Sequence, residues 1–235
     1  MMKEQIREQL KQMADEDYKK FSKKIVPGVD NMFGIRLPKL RETAKKIAKE
    51  DADGYLQQLE EVLLSGGEVY YEEIMLYGLV IGYARWDDEK RTVWLERFMK
   101  YIDNWAVCDS CCMTYKWMKK DPEYWWAYLI RQIKKNREYT IRFAFVCMLA
   151  HFVDEDHVEE ILSWCERIRH EGYYVKMAAA WAVSVCYVKY PEITDPFLQQ
   201  NRLDDDTQNK AIRKICDSYR VTKEQKQQVK TYKKS

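Results

Sequence analysis

The chain has 235 residues and a mass of 28.4 kDa, and its 46% hydrophobic and 33% charged content excludes a wholly disordered polypeptide. Its longest stretch without a charged residue spans 12 positions, 177–188, whereas a bilayer-spanning helix needs about 18 apolar residues. The net charge of +2 is uneven, with +5 in residues 1–50, +7 in residues 210–235 and −10 between them, and such basic ends suit a polyanionic partner and solvated helix faces equally well.

The first twenty residues are charged throughout and lack the apolar block of a signal peptide, which predicts a cytoplasmic protein. The seven cysteines are an odd number and lie mostly within apolar segments, a pattern typical of reduced, buried thiols. Cys108 and Cys111 have a spacing that occurs in zinc sites, but the three histidines are scattered and no second pair completes a tetrahedral ligand set. We therefore expect no metal ion.

The low content of chain-breaking residues predicts helices throughout the chain. Only 8 glycines and 5 prolines occur, and no segment shows sustained alternation of apolar and polar residues. Apolar residues instead recur three and four apart in blocks, which are bounded by turn signals at 26–31 and 65–67 and by a helix start at Asp121–Pro122. The predicted helices cover residues 2–22, 38–50, 52–64, 69–84, 87–101, 104–119, 122–134, 138–151, 154–168, 172–189, 195–201, 205–218 and 222–232.

Several predicted helices form pairs in which an apolar helix precedes a more charged one, as 69–84 precedes 87–101. The period of roughly 30–40 residues predicts an all-α fold, an α-solenoid of HEAT-like antiparallel helix pairs with a concave binding face. We expect one domain over residues 1–235, whose polar tail at 222–235 is compatible with an ordered or a mobile segment. An irregular helical bundle is the alternative architecture.

The segment 104–119 contains an unusual carboxylate. Asp109 lies in an otherwise apolar helix, where burying a charge is costly. Trp105 precedes it by four positions and therefore shares its helix face, and Lys116 continues the same stripe. The spacing also suits a structural aspartate that caps a neighbouring helix or pairs with a buried arginine.

Two further residues stand out. Arg142 is a lone cation in the apolar segment 141–153. Trp181 is surrounded on its helix by small residues, so a large group could approach its ring closely. Taken singly, each has a structural explanation, with Arg142 as the partner of an internal carboxylate and Trp181 as a core residue.

Four segments occur together in a recognisable order over nearly the whole chain. The first is FGIRLPKLR at 33–41, and the second is the Trp-x3-Asp pattern of NWAVCD at 104–109. Arg142 in IRFA and Trp181 in KMAAAW follow. In this combination the chain resembles the AlkD-like DNA alkylation repair glycosylases, which are built from HEAT-like repeats.

The resemblance implies a DNA glycosylase that excises positively charged N3- and N7-alkylated purines from duplex DNA without a metal or cofactor. It assigns Trp105, Asp109 and Trp181 to a cleft that faces the damaged nucleotide, and Arg142 to the DNA backbone. Since the alkylated purine is already a good leaving group, Asp109 would stabilise the oxocarbenium-like sugar and position the attacking water. The indole faces would attract cationic groups.

A duplex partner also requires contacts to phosphates, which should make binding salt-dependent. The candidates are Arg36, Lys39 and Arg41 after the turn at 26–31, together with Lys116, Lys176, Lys210 and Arg213. We expect the protein to be a monomer that is associated with the nucleoid when bound to DNA.

One position departs from the family pattern. Many relatives carry an arginine three residues after the second tryptophan, where it can reach a phosphate, whereas this chain has Ser184. Some members of the family bind DNA without excising a base. Two alternatives therefore stay open, a non-catalytic DNA-binding repair protein that recognises distorted or branched duplexes, and a HEAT-type protein-binding scaffold.

Overall fold

The chain packs as two compact units, Met1–Tyr115 and Lys116–Ser235. The structure, a computed structural model, describes residues 2–234. In the first unit the helices are α1 (Met2–Gln12), α2 (Glu16–Ile25), α3 (Leu37–Glu50), α4 (Ala52–Leu64), α5 (Tyr71–Tyr83), α6 (Asp88–Phe98) with a 3-10 turn at Met99–Tyr101, and α7 (Trp105–Cys112). In the second they are a 3-10 helix at Lys116–Lys120, α8 (Pro122–Ile133), α9 (Glu138–His151), α10 (Val158–Arg167), α11 (Tyr173–Lys189), α12 (Pro191–Gln199), α13 (Asp205–Asp217) and α14 (Lys223–Lys230).

The prediction of an all-α fold is confirmed, since residues 2–234 contain helices and no strand. In the first unit α3 packs against α5 and α5 against α7. In the second α9 packs against α11 and α11 against α13. In each unit these alternate helices therefore pack against one another, which is consistent with an α-solenoid of helix pairs. The single domain over 1–235 stays a prediction.

Among the predicted helices with wrong bounds, two differ because a side-chain cap or a proline starts a new helix. The predicted helix 2–22 is broken at 13–15, where the Asp15 carboxylate accepts a hydrogen bond from the Tyr18 N–H at 2.9 Å and begins α2. The helix expected to begin at 195 begins at Pro191, whose missing N–H is no loss in a first turn, and Pro196 lies inside it.

Glycines on α5 allow α7 to approach closely. A Cβ atom on Gly78 would collide with Cys111 Sγ and with the Phe98 ring. A Cβ atom on Gly82 would collide with the Thr114 side chain. Tyr115 closes the same contact by donating a hydrogen bond from its hydroxyl to the Gly78 carbonyl at 3.2 Å. The position of α7 therefore depends on α5 having no side chain at Gly78 and Gly82.

The loop between α2 and α3 is tied to α5 by one buried carboxylate. Glu72 is 1% exposed and accepts hydrogen bonds from the backbone N–H groups of Phe33 at 2.9 Å, Gly34 at 2.7 Å and Ile35 at 3.2 Å. Gly34 has φ +85°, and a Cβ atom there would also collide with the backbone of α2. The loop is thereby fixed just before Arg36, which precedes α3.

The interior of the second unit centres on α9, of which every residue from Thr140 to Leu149 is buried.

The C-terminal tail of the second unit folds back onto the preceding helices. Tyr232 donates a hydrogen bond to Asp195 at 3.1 Å, and Lys234 donates one to the Leu203 carbonyl at 2.6 Å. Within residues 2–234 no helix combines the length and the apolar composition that a membrane crossing requires.

Candidate functional site

A buried cap sets the start of α7. Asn104 is 5% exposed, and its side-chain oxygen accepts a hydrogen bond from the Val107 N–H at 2.9 Å. Its amide nitrogen donates to Asp103 at 2.8 Å. Because both polar groups of Asn104 are used, the first turn of α7 is well defined, and Trp105 occupies its first position.

Trp105 and Asp109 lie one turn apart on the partly exposed face of α7, together with Ser110. The remaining residues of the helix are buried against α5. The indole Nε1 of Trp105 donates a hydrogen bond to the Ile25 carbonyl at the end of α2, at 3.0 Å. The first unit therefore presents an oriented indole and a carboxylate side by side, in the arrangement that spacing alone predicts.

The predicted stripe does not extend to Lys116, because the helix expected over 104–119 ends at Cys112. The Thr114 hydroxyl and the Thr114 backbone N–H both donate to the Cys111 carbonyl, at 2.7 Å and 2.9 Å. Lys116 begins a separate 3-10 helix and is exposed. Its contact with a phosphate stays a prediction, and it does not share the helix of Trp105.

A cavity of about 140 Å³ adjoins Trp105 inside the first unit. Its lining is aromatic and apolar with few polar groups, and includes Tyr18, Ile25, Tyr71, Glu72, Trp105 and Ser110. Burial raises the pKa of Tyr71 well above its usual value, so this phenol stays protonated and can act only as a neutral group. Sequence reasoning did not find the neighbours of Trp105 that come from α2 and α5, because spacing within α7 carries no information on other helices.

Arg41 lies close to the same helix. Burial raises the pKa of the Cys111 thiol well above its ordinary value, with Cys108 adding to the increase, while Arg41 lowers it and Asp109 raises it. Arg41 and Asp109 are thus both within electrostatic range of one thiol. The Arg41 Nε atom has no hydrogen-bond partner among residues 2–234.

The other basic residues predicted for the first unit are accessible. Arg36 is exposed, its guanidinium lies 4.7 Å from the centre of the Tyr18 ring, and it is 3.6 Å from Asp15. Lys39 is exposed beside an open groove between α1 and α3. An exposed pair such as Arg36 and Asp15 contributes little to stability, so the guanidinium can exchange partners at low cost.

Arg142 is a buried residue in the second unit. It is 5% exposed, its Nη1 donates to the Tyr174 carbonyl at 3.0 Å, and its guanidinium lies 5.7 Å from the centre of the Tyr174 ring. These contacts join α9 to α11. The contact of Arg142 with the DNA backbone stays a prediction.

Trp181 is half-buried on α11 and lines a cavity of about 360 Å³. The Lys214 ammonium from α13 lies 5.8 Å from the centre of its ring, within cation–π range. Ser184 points back to its own helix, because its hydroxyl donates to the Trp181 carbonyl at 2.8 Å. The cavity also contacts Lys189 and Arg220. Sequence reasoning missed these three cations, although the basic segment 210–235 gave a general signal for Lys214 and Arg220.

The remaining predicted phosphate contacts differ in their availability. Lys176 pairs with Glu171 at 3.0 Å and with Asp204 at 3.7 Å, and the hydrogen bond from Glu171 raises its pKa. Lys210 pairs with Asp206 and lies over the Tyr173 ring. Arg213 is exposed. The two lysines must therefore exchange a carboxylate for any phosphate that they bind.

In the part of the chain that the structure describes, no group of three or more histidine, cysteine, aspartate or glutamate side chains is arranged to hold a metal ion. Six cysteines are buried and Cys216 is half-exposed. The prediction that most thiols are buried is confirmed.

Residues 6–228 match the family described as DNA alkylation repair enzyme. The matched span extends over both units and includes Trp105, Asp109, Arg142 and Trp181. No curated protein and no solved structure matches the chain.

Proposed function

The chain belongs to the family of DNA alkylation repair enzymes, and from this premise we propose that it is a DNA glycosylase acting on N3- and N7-alkylated purines in duplex DNA. The observation that carries the proposal is the pairing of Trp105 and Asp109 on the accessible face of α7. This pair combines a negative charge with a surface that attracts cations. Both features suit a positively charged base and a sugar that becomes positive during the reaction.

The proposed reaction is hydrolysis of the N-glycosidic bond. The alkylated purine carries a positive charge, so when the bond from C1′ to nitrogen breaks, the electron pair leaves with the purine and the free base is neutral. The sugar is left with oxocarbenium character. Asp109 stabilises that charge electrostatically, and a water molecule attacks C1′ and gives its proton to the carboxylate or to solvent. Asp109 is the catalytic residue in this proposal.

Trp105 supports the same step through its position. Its ring is held by the hydrogen bond to Ile25, so its face is oriented before DNA binds. An indole face attracts a cation by roughly 0.5–2 kcal/mol, depending on how far water is excluded. We propose that this attraction favours the charged base and sugar over undamaged nucleotides. We also propose that the protein is a monomer in the cytoplasm, where it has access to DNA, and that it is associated with the nucleoid when bound.

A second candidate function is DNA binding without excision. It is supported by Ser184 in place of the arginine that many relatives carry, and by the burial of Arg142. The Lys214 ammonium over Trp181 supports it as well, because that indole face already has a cationic partner. No contact in residues 2–234 specifically supports the third alternative, a protein-binding scaffold.

The experiment measures base release from duplexes that contain N7-methylguanine or N3-methyladenine, with the full chain in excess over DNA. The wild type should release the base, and Asp109→Asn should slow the single-turnover rate by about 10²–10³-fold while duplex affinity stays nearly constant. Asp30→Asn is the matched control, since Asp30 is 97% exposed in the loop before α3. Undiminished release by Asp109→Asn would contradict the catalytic role. Salt-dependent duplex binding without any release by the wild type would favour the second candidate.

A further inference from the structure

The cavity beside Trp181 has small and polar walls. Beside Trp181, α11 contributes Ser184, Val185, Val188 and Lys189. The last turn of α13 and the turn that follows contribute Lys214, Asp217, Ser218 and Arg220. Its volume of about 360 Å³ exceeds many times the share of one liquid water, about 30 Å³. A phosphate group together with part of a deoxyribose fits such a space.

The charge of this cavity is positive. Its lining contains the three cations Lys189, Lys214 and Arg220 and one carboxylate, Asp217, among the described residues. The C-terminal ends of α11 and α13 each bring a partial negative charge of at most about half a unit. This is less than the excess of positive side-chain charge, so the cavity favours an anion.

The cations reach the cavity from different elements. Lys189 at the end of α11 is held at the rim, where its ammonium donates to the Val153 carbonyl at 3.0 Å. Lys214 projects from α13 across the Trp181 ring. Arg220 is exposed in the turn beyond α13. Because Ser184 is short and bonds to its own helix, the space between these cations stays open.

We propose that this cavity binds one phosphodiester group of the DNA backbone, with Lys214 and Arg220 as its ligands and Trp181 packing against the adjoining deoxyribose. The proposal rests on the proposed function only in taking DNA as the ligand, and it does not require excision. An anion suits the site better than a cationic base. A cationic base would have to displace the Lys214 ammonium from the indole face, whereas a phosphate can bind this ammonium where it lies. The charge that an arginine at position 184 would bring is thus supplied by α13 and the turn after it.

The test is the salt dependence of binding to an unmodified, fluorescein-labelled duplex, measured by anisotropy between about 50 and 200 mM salt. Each phosphate contact contributes about 0.9 to the slope of log affinity against log salt, so Lys214→Gln should reduce the slope by about that amount. Lys214→Arg, which keeps the charge, should restore it. Asp217→Asn removes the carboxylate of the lining and should raise the affinity.

Lys134→Gln is the matched control, because Lys134 is an exposed lysine at the end of α8, outside the cavity lining. An unchanged slope in Lys214→Gln, weaker binding by Asp217→Asn, or an equal loss in Lys134→Gln would each overturn the proposal. Circular dichroism of each variant shows whether its fold is retained. Base release from an alkylated duplex is measured in parallel. If the salt slopes change as expected but no base is released, the phosphate site is supported and the glycosylase proposal is contradicted.

Discussion

The indole Nε1 of Trp105 and the carbonyl oxygen of Ile25 form a hydrogen bond of 3.0 Å that joins the first residue of α7 to the last residue of α2. The last carbonyl groups of a helix have no partner within it, so this bond satisfies an acceptor that the end of α2 leaves open. The bond also fixes the plane of an indole that is only partly buried. The orientation of Trp105 therefore depends on α2 as well as on α7.

Trp105→Phe should show how much this hydrogen bond contributes. The variant keeps an aromatic ring but loses the donor and part of the cation attraction, so we expect the free energy of unfolding to fall by about 1 kcal/mol and single-turnover base release to slow by roughly threefold to tenfold. Urea unfolding and base release measure the two effects. Trp164→Phe is the control, since Trp164 also donates from a half-exposed indole, to Glu160 at 3.2 Å. Slower release in both variants would show that the effect is not specific to α7.

Glu72→Gln should loosen the loop that precedes α3. The amide keeps one acceptor oxygen but turns an N–H group toward the three backbone donors, so some of them lose their partner inside the protein. We expect the free energy of unfolding to fall by about 2–4 kcal/mol, in line with the loss of hydrogen bonds to a buried charged group. Glu61→Gln on the exposed side of α4 should change it by less than about 0.5 kcal/mol. Equal stability of the two variants in urea would contradict the role of Glu72.

Gly78→Ala should push α7 away from α5. The added methyl group collides with Cys111 Sγ and with the Phe98 ring, and overpacking of this kind costs about 1–3 kcal/mol. Cys111→Ala removes one of the two obstacles, so the double variant should lose less stability than the sum of the single variants. Additive losses in thermal or urea unfolding would show that the contact is not as tight as its geometry indicates.

The thiols should differ sharply in reactivity. Burial raises the pKa of Cys111 and Cys165 well above the ordinary value and raises that of Cys186 to about 12, so little thiolate forms near neutral pH. Cys216 is half-exposed on α13. Iodoacetamide at about pH 8 should therefore modify Cys216 first, and the other six only after unfolding in urea. Peptide mass spectrometry identifies the modified residues, and rapid native labelling of Cys111 would contradict the packing of α5 against α7.

Sequence patterns were sufficient where local signals mark a helix. The predicted helices 52–64 and 138–151 have the bounds of α4 and α9, because apolar spacing marks both helices and the Asp51 side chain also caps α4. The end of α7 was not predictable in this way, since residues 111–115 contain no glycine or proline. That helix stops where Thr114 and Tyr115 meet Gly78 and Gly82, which is a tertiary contact.

The same limit applies to the candidate site. A spacing of four positions was enough to place Trp105 and Asp109 on one helix face. The partners of the two tryptophans were not predictable, because Ile25 is 80 positions from Trp105 and Lys214 belongs to a different helix from Trp181. Periodicity within a helix indicates which face a residue occupies, but it carries no information on what another helix brings to that face.

The complete burial of α9 from Thr140 to Leu149 determines where slow amide exchange occurs in the second unit. An amide on a helix with a solvated face can exchange with deuterium after a local fluctuation, whereas these amides meet solvent only when the surrounding helices separate. Their protection factors therefore report the free energy of opening this unit as a whole. Deuterium uptake by α9 thus gives a measure of stability for the second unit.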